Sequence, residues 1–469
     1  MIQRRLYFIS LLLLFIGSCY PQQYTYNKAV LGDEGEVVVY LQPLPQEASN
    51  LRFIIGGISA VRDDGSALPL FLSFADAKGT KLLKNQKLLA TAVLPPGSYS
   101  GLSVVIKKAF VQGEEGELDL LVSEAPIMAE GLFEVKRRQA ITLFLSLKPS
   151  GIITGGIRFT PDFSLATPGG ILINLTGYVS TSALNSIAVF NKKTMEVVNI
   201  IATGNGPKGI VLDQIRTRAY VAASGDDAVE IYDVFTGKAI GSVKLNFGDN
   251  PMELALTPDG RTLVSVNHSS NTVSIIDAIS KIELRRIKVG EAPTSAVVDP
   301  SGFRAYIMNS GSNTVSVVDL TQRTLTATIS VEGSPLRGTF NRVGDRLYII
   351  SRNTPNLSVI DPLSFTVSQK IFVGAGAVSI KSSFLSGLIF VGMRLGGEIA
   401  VVDPSSLMFI DSIPVGGSPA FITIDRQENT LLVVIPERRL VKKVNLTSKK
   451  IMAEIEVGEG AYAVAVMGE

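Results

Sequence analysis

One interval governs this chain: landmarks recur every 42 residues, seven times over. Apolar runs of alternating Val-x-Val type end at Asn191, Asp233, Asp277, Asp319, Asp361, Asp403 and Asn445, with spacings of 42, 44, 42, 42, 42 and 42. A second landmark, the residue opening the next apolar run, falls at Pro207, Pro251, Pro293, Pro335, Ala377, Pro419 and Ala461 with the same period. The two extra residues lie between Asp233 and Pro251, where the interval is 18 against 16 elsewhere. Two independent registers sharing one period identify a repeat architecture.

Each period holds four strand-like runs rich in Val, Ile, Thr, Tyr and Phe. In one of them these are Leu336–Asn341, Arg346–Ser351, Asn356–Asp361 and Thr366–Phe372. Turn chemistry separates the first two strands, as in Thr257-Pro-Asp-Gly260 and Asp299-Pro-Ser-Gly302. No run keeps a 3.6-residue apolar period over ten residues, so helices are not expected. A four-stranded sheet of this size cannot cover both its faces, so the sheets must stack, and closing the stack into a ring shields the edges. The first period lacks a first strand, and the chain ends just after Ala461-Tyr-Ala-Val-Ala-Val466, a first strand without successors. The expectation is an all-β chain with a seven-bladed β-propeller over 171–469, zipped by a blade that both ends of the repeat region share.

The segments Ala305-Tyr-Ile-Met-Asn, Ser312-Asn-Thr-Val-Ser-Val-Val-Asp319, Ser330-Val-Glu-Gly and Asn271-Thr-Val-Ser-Ile-Ile-Asp277 resemble the YVTN family of β-propeller repeats. That resemblance implies a fold and says little about activity, because one propeller scaffold serves binding, assembly and catalysis.

Residues 35–165 leave the 42-residue register but stay β-like. Candidate strands are Val37–Leu41, Leu51–Val61, Leu70–Phe74, Leu102–Ile106 and Ile141–Leu147. Leu94-Pro-Pro-Gly-Ser-Tyr99 resembles the proline-glycine-x-tyrosine hairpin of transthyretin-like and Ig-like β-sandwich domains in exported bacterial proteins. Two sheets packed face to face are the simplest arrangement for these strands. Leu165-Ala-Thr-Pro-Gly-Gly170 reads as the linker into the ring.

The start of the chain reads as an address. Arg4 and Arg5 precede an eleven-residue apolar run, Leu6 to Ile16, broken only by Ser10. That is the pattern of a secretory signal and is too short to span a bilayer. Ile16-Gly17-Ser18-Cys19 resembles the bacterial lipobox, and Cys19 is the single cysteine in the chain. The resemblance implies residues 1–18 as a lipoprotein signal peptide, acylation of Cys19, a membrane partner, and 19–34 as a tether. By analogy with enteric lipoproteins, Tyr20 in place of Asp favours the outer membrane. Cleavage leaves 469 − 18 = 451 residues and removes two arginines from a formal net charge of +2, so the mature charge is zero. A balance of 44 basic against 42 acidic residues gives no basic excess of the kind a nucleic-acid surface needs.

The candidate sites follow from register. One histidine, His268, and one cysteine exclude multi-imidazole and multi-thiolate metal sites, and neither a haem-attachment nor a phosphate-loop motif occurs, so no cofactor is expected. The repeated Asp or Asn is followed by Thr or Ser, as in Asp319-Leu-Thr and Asn445-Leu-Thr; that pattern caps a turn, and Asn would not serve a charge-dependent metal site. Nine residues before each ending stand Ser182, Ser224, His268, Ser310, Arg352, Arg394 and Pro436. Arg352 and Arg394 share that position in adjacent blades, and Arg438 and Arg439 lie in the corresponding loop of the next. Together with His268 they are the candidate ligand-binding residues, suited to a carboxylate, a phosphate or an acidic peptide. Glu332, Glu398, Glu437 and Glu459 fall on the same face and offer these arginines internal partners, while Asp226, Asp227 and the loop Asn246–Asn250 mark an opposite, acidic sector. The expected function is a non-catalytic binding or scaffold role for a protein or other macromolecule through one face of the ring. The alternative is an extracytoplasmic hydrolase or lactonase working in the channel, for which no catalytic residue can be assigned.

Overall fold

The computed structural model describes residues 28–114, 116–169 and 173–468. Residues 173–468 form seven antiparallel four-stranded sheets arranged as a seven-bladed β-propeller. In six blades, strands A to D follow in chain order. In blade 5 they are Pro335–Phe340, Leu347–Ser351, Asn356–Asp361 and Thr366–Phe372, within one residue of the expected limits. Blade 1 is composite: Thr176–Thr181, Ser186–Asn191 and Glu196–Ala202 serve as its strands B to D, and Ala461–Val466 from the other end of the repeat region is its strand A. The pairing runs from Gly177↔Val466 to Thr181↔Ala461, as the complementary ends of the repeats require.

Two local devices explain the repeated residues. The Asp or Asn ending strand C caps the following turn: Asp319 Oδ1 accepts from the backbone N–H of Thr321 at 2.8 Å and of Gln322 at 2.7 Å, and Asn445 does the same for Thr447 and Ser448. These bonds hold the Asp277, Asp361 and Asp403 carboxyls below their ordinary pKa, chiefly through the turn N–H groups at Asp277 and Asp361 and the Ser405 hydroxyl at Asp403. The second device is an Asn in the left-handed conformation just before strand C. Asn185, Asn271 and Asn313 each accept the backbone N–H found 21 residues later, at Gly206, Ala292 and Ser334, all at 2.8 Å. Asp227 does this in blade 2 for Asn250, two residues further on because of the insertion. Asn and Asp tolerate a positive φ better than other non-glycine residues, which suits them to this clamp between blades.

The blades are held by apolar contact with their neighbours. Seven buried clusters each join two adjacent blades; that between blades 4 and 5, for example, contains Tyr306, Met308, Val317, Leu347, Ile349 and Ile360. The A strands converge on the axis, where space is short: a Cβ at Gly209 would lie 2.7 Å from the Cα of Glu253.

The region before the ring contains β1 (Gly35–Leu41), β2 (Leu51–Arg62), β3 (Ala67–Leu72), β4 (Asp76–Lys78), β5 (Lys87–Leu94), β6 (Gly97–Gly113), β7 (Gly116–Leu120), β8 (Ile127–Val135) and β9 (Ala140–Leu147), with β10 (Ile153–Thr154), β11 (Arg158–Phe159) and β12 (Phe163–Ala166) leading to the linker. The expected pair of facing sheets occurs as one continuous ten-stranded sheet folded over a single core. It is continuous because β3 pairs both with β2, at Ile58↔Leu70, and with β5, at Phe71↔Thr91. The Pro-Pro-Gly-Ser-Tyr segment makes the tight connection from β5 to β6, where the Tyr99 hydroxyl donates to Pro95 O at 2.9 Å.

This region packs on the outer rim of blades 1 and 7. Every residue of β1 is buried, and its two faces serve different cores. Val37, Val39 and Leu41 point into its own domain, whereas Val38 and Tyr40 join the cluster of blades 1 and 7. Alternation along a strand makes that division automatic. The Gln86 amide donates to Val197 O at 3.1 Å and accepts from Val197 N at 2.8 Å, and Thr142 Oγ1 accepts from Ile200 N at 3.0 Å. The free edge of blade 1 strand D is thereby covered. Lys28 pairs with Glu36 in the same buried zone, and the Lys28 backbone N–H donates to Ala183 O at 2.9 Å.

Candidate functional site

The A strands line the axial channel, and their side chains are the ones a small ligand would meet. Counting from the second landmark, the residue two places on is Gly209, Glu253, Ser295, Arg337, Ser379, Phe421 and Ala463 in the seven blades. Four of the seven are Gly, Ser or Ala, as crowding at the axis demands. The three large residues meet: Arg337 of blade 5 pairs with Glu253 of blade 3 and stacks 4.6 Å from the Phe421 ring of blade 7. The Arg337 guanidinium crosses the axis and separates a cavity of about 560 Å³, open toward the loops that join strands A and B, from a pocket of about 220 Å³ at the opposite mouth. Tyr462, one place earlier in register, lines the smaller pocket. Burial and the Glu253 charge push its phenol up to about 12, against the pull of Arg337.

The acids of the channel are engaged. Glu253 faces Arg337, and Asp213, almost wholly buried, pairs with Arg216 at 2.9 Å. A general acid–base pair needs groups free to exchange protons with a substrate; these two are held by guanidiniums. Among the described residues, no group of three or more His, Cys, Asp or Glu side chains is close enough to hold a metal ion.

The arginines picked out by register do come together. Arg352 and Arg394 line the 220 Å³ pocket with Arg337 beneath them. Arg394 also borders the groove between blades 6 and 7, where Arg438 stands above Gly416, Gly417 and Ser418. Arg352, Arg394 and Arg438 are exposed. The glutamates that could have neutralised them are engaged elsewhere or stand apart: Glu332 binds Lys370, and Glu437 accepts the Ser418 backbone N–H. Among the described residues no acid lies within ion-pair distance of Arg352, Arg394 or Arg438. Arg439 is exposed beside them in the left-handed position that closes its turn.

The other candidates are placed differently. His268 is half-buried in blade 3, away from the arginines, and its Nδ1–H donates to Pro293 O at 2.9 Å. That bond reaches forward to the first strand residue of blade 4, whereas the Ser310 hydroxyl at the same register position turns back to Ala292 O, in the loop before its own blade, at 2.9 Å. The expected acidic sector is largely structural: Asp226 and Asp227 accept backbone N–H groups at Asn205 and Asn250, and Asp249 is buried against Arg286 at 2.6 Å. Cys19, with the signal segment and most of the tether, lies outside the described residues.

Arg337, Glu253 and Tyr462 escaped the sequence reading, although a signal existed. Charged residues stand at one register position where four of the seven blades carry Gly, Ser or Ala.

The chain matches no known family model and no curated protein. Among solved structures it resembles a functionally unknown protein from Desulfotomaculum acetoxidans (TM-score 0.56, 15% identity, covering 62% of this chain and 98% of that one). It also resembles a putative 6-phosphogluconolactonase from Bacteroides uniformis (TM-score 0.54, 17% identity, 62% and 98%) and the Kuenenia stuttgartiensis hydrazine synthase (TM-score 0.50, 18% identity, 55% and 88%). At these identities the likeness is one of fold alone.

Proposed function

We propose that the protein is a lipid-anchored envelope protein, held at the outer membrane through acylated Cys19, whose ring binds a partner presenting carboxylate or phosphate groups at the Arg352–Arg394–Arg438 face. One observation carries the reading: the blades that hold these arginines keep the strand-C turn cap but have given up two other side-chain devices of the remaining blades. At the clamp position, blades 1 to 4 carry Asn185, Asp227, Asn271 and Asn313, whereas blades 5 to 7 carry Pro355, Gly397 and Arg439. Nine residues before the strand-C ending, Ser182, Ser224, His268 and Ser310 bond to neighbouring loops, whereas Arg352 and Arg394 make no side-chain hydrogen bond with described residues. Local rules that hold in four repeats and lapse together in three adjacent ones mark a place shaped by something other than folding. Exposed guanidiniums over a pocket recognise planar oxyanions through paired N–H donors.

The mature chain, without residues 1–18 and with Cys19→Ala, tests the site. Calorimetric titration with citrate and with a polyglutamate peptide is expected to show salt-sensitive binding. Each lost charge-assisted bond is worth about 1.5–3 kcal/mol, so Arg352→Ser, Arg394→Ser and Arg438→Ser together weaken binding at least tenfold. Equal binding by the triple variant, or none by the parent, overturns the reading.

The anchor rests on the lipobox-like Ile16-Gly17-Ser18-Cys19. The full-length Cys19→Ala variant is expected to lose its acyl chains, each buried CH₂ of which is worth about 0.8 kcal/mol, and metabolic labelling with palmitate checks this directly. Label that persists in the variant removes Cys19 as the acylation site.

A further inference from the structure

The loops joining A to B and C to D open on the face opposite the arginines, and large apolar side chains stand out from them. Ile215 and Phe235 of blade 2, Phe303 of blade 4, Val343 and Leu363 of blade 5, and Leu385 of blade 6 are each more than half exposed. Ile279 of blade 3 is exposed to 47%, so the arc runs unbroken from blade 2 to blade 6. In the loops of the other face, only Phe247 and Leu395 are exposed large apolar residues among those described. Isolated exposed apolar residues need no explanation, but an arc confined to one face does.

The chemistry around the arc is interfacial. Arg216 follows Ile215, Lys238 lies three residues after Phe235, and Arg342 and Arg346 flank Val343. The Phe384 ring sits between two guanidiniums, Arg342 at 4.5 Å and Arg426 at 4.7 Å. The strand-end aspartates of this face are set back, their oxygens turned onto the backbone N–H groups of their own turns. What projects is therefore apolar at the tips, with Lys238 and Arg342 just behind them, while Arg216 and Arg346 share their charge with Asp213 and Asp345. That order matches the acyl boundary and the anionic headgroups of a bilayer.

We infer that this face lies on a lipid bilayer, with the loop tips of blades 2 to 6 entering the headgroup region and the arginine-lined mouth turned away from it. The anchor is compatible with that orientation. The described chain begins at Lys28, beside Ala183 on the arginine side of blade 1. Nine residues, the number from 19 to 27, can span at most about 30 Å in any chain, and a six-residue blade strand is about 20 Å deep, so that length suffices to pass the rim. The inference does not depend on the arginine site.

The test uses the mature chain with Cys19→Ala, so that no acyl group contributes, sedimented with vesicles of phosphatidylethanolamine and phosphatidylglycerol. The parent is expected to pellet with the vesicles. The combined variant Phe235→Ser, Phe303→Ser, Val343→Ser and Leu363→Ser partitions at least tenfold less, while Phe247→Ser with Leu395→Ser on the other face leaves partitioning unchanged. An unchanged circular-dichroism melting curve shows that the ring of the quadruple variant is folded, and citrate binding that survives in it separates this inference from the reading of the arginine site. A parent that stays in the supernatant, or a quadruple variant that pellets equally, overturns it. So does self-association of the parent that the quadruple variant abolishes while vesicle binding is absent.

Discussion

Lys192→Met is expected to lower the stability of the ring by about 3–5 kcal/mol, the cost of breaking a buried ion pair from one side. Lys192, in the C–D turn of blade 1, is 1% exposed, as is its partner Asp425 at the end of strand A in blade 7, and the two are 2.9 Å apart. The same ammonium donates to Met467 O at 2.5 Å and to the Gln427 side chain at 3.1 Å, while the Lys443 ammonium donates to Lys192 O at 2.7 Å. One lysine thus ties blade 1, blade 7 and the end of the closing strand together. Methionine fills much of the same volume, so the lost charge rather than a cavity dominates the effect. Removing Lys192 alone strands the Asp425 carboxylate without water. The double variant Lys192→Met with Asp425→Asn is therefore expected to recover part of the loss. Urea unfolding of the parent, both single variants and the double variant gives the coupling directly. Additive effects would show that the pair does not act as a unit.

A chain ending at Gly460 is expected not to form the ring at all. It lacks blade 1 strand A, from which Ala461, Ala463, Val464, Ala465 and Val466 are all buried. Burying a side chain of Val size contributes about 1.5–3 kcal/mol, and the strand contributes to the clusters on both sides of blade 1. Its removal also exposes the full edge of Thr176–Thr181 to solvent and to other chains. With Met467 lost as well, the buried Val464, Val466 and Met467 side chains together are worth about 4.5–9 kcal/mol, comparable with the whole margin of a typical domain, about 5–15 kcal/mol. The truncated chain should be insoluble, or lose the cooperative transition and show amide exchange throughout the blades. A soluble truncated chain with an unchanged melting curve would mean that the ring holds without its shared blade.

Much of the ring could be read from residue order alone. The blade 5 limits came within one residue because turn chemistry marks strand ends: Asn341 and Gly344 before strand B, Asp361 as the last residue of strand C. The region before the ring was less legible. In β8, Ile127–Val135, Met, Ala, Glu and Gly stand where a strand-forming run would carry Val or Ile, so it passed unseen, as did β5. The continuous apolar run of β1 signalled burial on both faces without showing that one face belonged to the blades.

The site divides in the same way. Equal register placed Arg352 and Arg394 on one face, and both line one pocket. The same comparison, carried to the A strands, would have flagged Glu253 and Arg337. It could not have shown that they pair, because the contact spans 84 residues and two blades.

The number of blades, the faces of their loops and the way the ends close were determined by the sequence itself. A 42-residue unit that cannot bury its own strands must lean on neighbours of the same design, and every residue inherits its place from its position in the unit. Tertiary structure alone decided which side chains cross the axis, which core Val38 and Tyr40 enter, and which arginines are left without a carboxylate. Those outcomes depend on distances between residues far apart in the chain, and a repeat period carries no information about such distances.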